Sequence, residues 1–135
     1  MTQLSIQITG ADIVRKGLQN LAAEIPKIGR EQIYRTEQAI VRRMKIYPPP
    51  PATSRYVRTY QLQHGWTITS RADGYTISNT TPYTKYVVGN AYGQEQAWMH
   101  QGRWQLLRDV SDEEVRKLPQ EIDNHITQVA RRENL

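Results

Sequence analysis

Three histidines and a few carboxylates are the residues of this chain from which catalysis or metal binding would be built. His64, His100 and His125 lie far apart in sequence. None belongs to a His-Glu-x-x-His run or a comparable short spacing, the arrangement that brings ligands within about 2 Å of one ion. There is no cysteine, so disulfides, thiolate zinc sites and cysteine nucleophiles are excluded. Acid–base chemistry wants paired carboxylates, yet residues 51–108 hold only Asp73 and Glu95. Asp73 is already used in an Asp-Gly turn signal. Asp109, Asp112, Glu113 and Glu114 do cluster, but at an expected helix start, where the macrodipole favours acids for structural reasons. A Gly-x-Ser-x-Gly nucleophile and a phosphate-cradling glycine loop with its lysine are both missing from the sequence. These residues argue against an enzyme and predict neither a cofactor nor a metal.

Cations interleaved with aromatic rings offer a different chemistry. Arg42, Arg43, Lys45, Arg55 and Arg58 alternate with Tyr47, Tyr56 and Tyr60, the combination of charge and stacking surface that nucleic-acid binding uses. The net charge of +5 and the pI near 9.6 agree with it. Arg42, Arg43, Lys45 and Arg55 are therefore candidate DNA-facing residues, and a basic nucleic-acid-binding module is the alternative reading of the whole chain. The charge is uneven, since the last 27 residues, 109–135, carry more acids than bases.

The elements that must position these groups follow from periodicity. Residues 3–9 alternate, with Leu4, Ile6 and Ile8 on one side, which predicts a half-buried strand ended by Gly10. Asp12 then caps a helix with the stripe Val14, Leu18, Leu21 and Ile25. Pro26 breaks it and opens a second helix carrying Ile33, Ile40, Val41 and Met44 on one face. Pro48, Pro49, Pro50 and Pro51 stop that helix near Tyr47. The run 48–53 is expected to be a stiff polyproline strut. A short helical turn ends near His64. Residues 65–70 and 75–79 alternate around Asp73-Gly74, a hairpin with Trp66 and Ile68 near Tyr75 and Ile77. Tyr83, Tyr86 and Val87 suggest one helical turn. Residues 89–103, rich in Gly and Gln, read as a long loop, mobile in the isolated subunit. Ser111 and Glu114 form a capping box for a last helix reaching about Arg131, with a kink or break near Leu118 from Pro119 and with His125 on its polar side. The fold class expected is α+β: a small antiparallel sheet packed against N-terminal helices and a C-terminal helix, in one domain spanning 1–135. No stretch approaches the length of a membrane span, and the first residues lack the features of a signal peptide.

Residues 58–104 are dense in rigid aromatic surface. Phenylalanine is absent, and eight Tyr and three Trp carry the aromatic load. Such amphipathic rings suit surfaces buried only on assembly. Two patterns stand out here, Arg-Thr-x-x-Leu-x-x-x-Trp (Arg58, Thr59, Leu62, Trp66) and Asn-x-x-x-Tyr-x-x-Tyr-Val-x-Gly (Asn79, Tyr83, Tyr86, Val87, Gly89), with Trp104 beyond them.

Together they resemble the tail-component proteins of tailed bacteriophages, also described as tail-completion, head–tail joining or minor tail proteins. The likeness covers about a third of the chain. Many relatives have Gly at the position of Tyr60, a small polar residue near His64-Gly65 and an acid at that of Val88. The resemblance implies a structural virion protein of the neck or tail top, assembled in the host cytoplasm as a homo-oligomeric ring, a hexamer by expectation, that joins or completes the head–tail connection. It implies contacts with other neck or tail proteins, non-specific contact with phage DNA, and no membrane association. The motif residues would be structural. Pro48, Pro49, Pro50, Pro51, Tyr92, Trp98, Met99 and His100 are the candidate subunit-interface residues.

Overall fold

The computed structural model describes residues 4–53, 58–72 and 74–135, with the backbone alone for 4–11. The fold is α+β, with a single two-stranded antiparallel sheet among the described residues. In order, the elements are helix α1 (Leu4–Met44), α2 (Gln61–His64), strands β1 (Trp66–Arg71) and β2 (Gly74–Asn79), α3 (Thr84–Val88), a 3-10 turn at Trp98–His100, and helix α4 (Leu107–Arg132). Contacts divide the chain into two compact units. One holds residues up to Gln32 together with Leu118–Leu135, and the other is Ile33–Lys117.

Several expectations for the helices are corrected. The predicted strand over 3–9 is helix from Leu4 onward, and Gln3 lies outside the described residues. A period-two pattern of so few residues competes poorly with helix already nucleated downstream, where each added residue gains a hydrogen bond without a new nucleation cost. Gly10 accordingly ends nothing. Asp12 is not a cap but sits inside α1, paired with Arg15 at 3.2 Å. Pro26 neither breaks α1 nor starts a second helix. Pro26 and Ala22 are both exposed, so water can reach the carbonyl that the proline leaves unpaired. The same holds for Pro119, through which α4 runs without a break. Ser111 does not cap α4, which begins four residues earlier. Val110 explains this, because it is 1% exposed in the core and is delivered there by the extra helical turn. Asp109 supplies the first-turn acid instead.

In the unit that contains both chain ends, the buried side of α1 is not the one its periodicity suggests. Val14, Leu18 and Ile25 are exposed, whereas Gly17, Ile28 and Gln32 are buried. Gly17 allows close approach: an added Cβ would lie 3.1 Å from the Glu133 carbonyl oxygen. Asn20 donates to Glu133 at 3.1 Å, and Gln32 pairs with Nδ1 of His125 at 2.9 Å. His125 is thus half-buried rather than on a polar face.

The second unit holds the main core. Ile40, Val41 and Met44 from α1, Leu62, Trp66, Val87, Val88 and Val110 form one buried cluster. The hairpin pairs Ile68 with Ile77 as predicted; Trp66 stands opposite Asn79 and Tyr75 opposite Ser70. Tyr75 packs instead on Tyr34 of α1, with ring centroids 5.0 Å apart. Asp73, the first residue of the expected turn signal, lies outside the described residues. Arg43 joins α1 to α4 within this unit, reaching Glu113 at 2.6 Å and Glu114 at 3.1 Å. Burial alone would push the Glu114 carboxyl up, but hydrogen bonds from Lys117 and Arg43 and their positive charges bring it below its ordinary 4.5. A depressed carboxyl stabilises the fold above its unfolded value, and that stability is lost as pH falls through the folded value. Glu114→Gln is expected to cost about 0.5–1 kcal/mol at pH 7 in chemical denaturation. It should also flatten the loss of stability below pH 4.5; an unchanged acid limb would show the pair contributes nothing.

Candidate functional site

The second unit carries a groove of about 520 Å³, within the range of natural binding sites. Its position follows from how short elements are pinned together behind it. Gly65 follows α2, and a Cβ there would fall 2.3 Å from Oδ1 of Asn79, so only glycine fits. Through that gap Asn79 donates to the Leu62 carbonyl at 2.8 Å and accepts from the Thr81 backbone N–H at 2.8 Å. Thr80 N–H reaches the Gly65 carbonyl at 3.1 Å, and the Thr81 hydroxyl donates to the Gln61 carbonyl at 3.3 Å. One asparagine therefore joins α2, the end of β2 and the approach to α3. Gly89, at φ 78, closes α3 where a Cβ would meet Leu106 at 2.8 Å.

On this frame the groove is lined with rings. Tyr47 stacks on Tyr60 at 5.2 Å between centroids and meets Trp104 edge-on at 4.7 Å. The Arg58 guanidinium lies 5.4 Å from the Tyr47 ring and 5.8 Å from that of Trp104, a cation–π pair of contacts. Leu62 and Val87 form the floor; Tyr83, Tyr86, Met99 and His100 complete the walls, with Pro50 and Pro51 at one side. Arg103 also lines it and donates to the Pro49 carbonyl at 3.3 Å. Burial, then the Arg103 charge, lowers the pKa of His100, so its ring is neutral at pH 7. Burial likewise raises the Tyr47 phenol, whose oxygen accepts from the Gln63 backbone N–H at 2.8 Å.

The sequence-derived residues divide clearly. Of the motif set, Arg58, Thr59, Leu62, Tyr83, Tyr86, Val87 and Trp104 line the groove, while Trp66, Asn79 and Gly89 build the structure behind it. Of the candidate interface set, Pro50, Pro51, Met99 and His100 line it; Pro48 and Pro49 belong to the same proline run. Tyr92 and Trp98 do not line it, but their side chains are 76% and 80% exposed. The basic set does not converge. Arg42 and Lys45 are exposed away from the groove lining, Arg43 is committed to two glutamates, and Arg55 lies outside the described residues. Tyr47, Tyr60 and Arg103 were not among the motif or interface residues. Their signal was adjacency: Tyr47 precedes the proline run, and Arg103 precedes Trp104.

The segment 89–103, read as a long loop, is hydrogen-bonded within itself and to its surroundings. Asn90 Oδ1 accepts from the backbone N–H groups of Tyr92 and Gln94, both at 2.9 Å. The Gln96 amide donates to the carbonyls of Val87 and Trp104 at 2.8 and 3.1 Å, and Arg108 donates to that of Tyr92 at 2.9 Å. Of the glutamines that read as flexible loop composition, Gln96 makes two of these bonds.

Among the described residues no three metal-ligating side chains come together, and no helix is long and apolar enough to cross a membrane. The chain matches no family model, no curated protein and no solved structure. What the groove offers chemically is apolar, aromatic contact area with guanidinium donors at its walls. Its integrity rests on Trp66, 9% exposed beneath it, whose Nε1 is buried without a hydrogen-bond partner among the described residues. Trp66→Ala is expected to lower unfolding free energy by about 3–5 kcal/mol, read as a large fall in melting temperature. A melting temperature equal to wild type would show the indole is not part of the core.

Proposed function

We propose that this chain is a structural subunit of the neck or tail top of a tailed bacteriophage, interlocking with its copies into a ring that joins or completes the head–tail connection. The observation that carries the reading is convergence. Residues scattered from Arg58 to Trp104, which bear the resemblance to tail-component proteins, either line one open aromatic groove or hold it in shape. Tyr60 adds independent support. The resemblance places glycine at this position, and Tyr60 has φ 59, the left-handed region that glycine adopts without penalty.

Exposure of this kind is characteristic of surfaces that become buried. Tyr60, Tyr86 and Met99 on the groove, with Tyr92 and Trp98 nearby in sequence, are all 46–80% exposed. Large aromatic residues exposed together mark protein contacts more often than isolated surface residues do. A ring needs two different surfaces on each subunit that meet head to tail and close. The acidic tail segment and the more basic remainder supply opposite charge for such contacts.

The test is mass in solution. Multi-angle light scattering of the purified protein, alone and mixed with candidate neck proteins, is expected to give about six times the 15.7 kDa subunit in at least one condition. A monomer mass under every condition, or turnover of a substrate by the pure protein, would contradict the proposal.

A further inference from the structure

Among the described residues the groove carries charge of one sign only: Arg58 and Arg103 are the charged side chains of its lining, with no carboxylate beside them. Neither guanidinium has an ion-pair partner among the described residues, in contrast to Arg43 and Arg108, which are paired to Glu113, Glu114 and Asp109. Both are nevertheless held in place. Arg58 is fixed over the faces of Tyr47 and Trp104, and Arg103 by its bond to the Pro49 carbonyl. A guanidinium has five N–H donors, and these contacts leave most of them free. Preset, unpaired arginines beside an apolar trough suit an anion, and their planar forks match a carboxylate.

Tyr60 points the same way. A non-glycine residue at φ 59 is held in a disfavoured conformation, yet this one is 46% exposed and so gains little from burial. What the strained backbone achieves is to place the ring against Tyr47 on the groove wall.

We propose that the groove is a docking site for an extended acidic segment of a different protein, whose apolar side chains enter between Tyr60, Tyr86 and Trp104 while its Asp or Glu carboxylates bind Arg58 and Arg103. A peptide rather than a nucleic acid is favoured because the described lining sets only two cations among apolar and aromatic side chains such as Leu62 and Val87, too few for a continuous track along a phosphate backbone. The inference rests on reading the groove as an assembly surface, and it specifies what that surface recognises.

The experiment is fluorescence anisotropy of the full chain with a labelled decapeptide of alternating aspartate and leucine, its asparagine–leucine counterpart, and a labelled ten-nucleotide oligothymidylate. The acidic peptide is expected to bind at least about tenfold more tightly than the asparagine form, the scale of one or two charge-assisted hydrogen bonds. Arg103→Gln and Tyr60→Gly should each weaken it about fivefold or more. Tyr60→Gly is the decisive variant: it relieves the backbone strain, so its melting temperature should not fall even as peptide binding does. Equal binding of the two peptides, tighter binding of the oligonucleotide, no binding up to millimolar peptide, or full affinity in Tyr60→Gly would each overturn the inference. Failure here alongside a ring mass in light scattering would remove the acidic partner and leave the ring. Peptide binding by a protein that stays monomeric would do the reverse.

Discussion

The second unit depends on a single close approach. Gly65 lets the Asn79 side chain come where no Cβ would fit, and Asn79 uses the gap to bond the Leu62 carbonyl and the Thr81 amide. Without that clamp, the four residues of α2 and the five of α3 would be too short to hold their own direction, because isolated helices of this length do not persist in water. With it, Leu62, Trp66, Val87 and Val88 enter one core with the C-terminal part of α1 and Val110 of α4. The groove is the outer face of that arrangement. Its rings are held in position because the short elements that carry them are fixed from behind, so that ordering them for a contact would cost little.

The division of labour among the polar residues is consistent with this. Asparagine, threonine and glutamine side chains satisfy backbone groups inside the loops, as Asn79, Thr81, Asn90 and Gln96 all do. Several acids serve ion pairs with nearby bases, such as Glu114 with Arg43 and Lys117, and Glu95 with Lys85. Glu37 differs, with Oε2 buried and without a hydrogen-bond partner among the described residues and its pKa raised by desolvation. Arg58 and Arg103 line the groove and have no ion-pair partner among the described residues.

Much of this was legible where local chemistry dictates geometry. Asp73-Gly74 and the alternation around it gave the hairpin and the Ile68–Ile77 pair. The proline run set the end of α1 within a few residues of Tyr47. The crowding of aromatics between Arg58 and Trp104 located the groove. Misreadings arose where a local signal met a longer-range constraint. The alternation in residues 3–9 yielded to a helix already extending toward it, Pro26 and Pro119 were tolerated on exposed helix faces, and the Ser111 box was overridden by the burial of Val110. Arg103 was not legible because its role comes from a proline carbonyl 54 positions away, which no spacing rule anticipates. The exposed stripe Val14, Leu18 and Ile25 has the right period for a core and does not form one. Periodicity reports which residues share a face, not whether that face is covered.

We propose this polypeptide as an architectural part whose aromatic groove is covered on assembly. Electron cryomicroscopy of purified infectious particles tests it most directly. The account predicts density for this chain as a closed ring at the junction of head and tail, with protein seated against Tyr60, Tyr86 and Trp104. Particles that lack the polypeptide, or a ring whose grooves face open solvent, would contradict it.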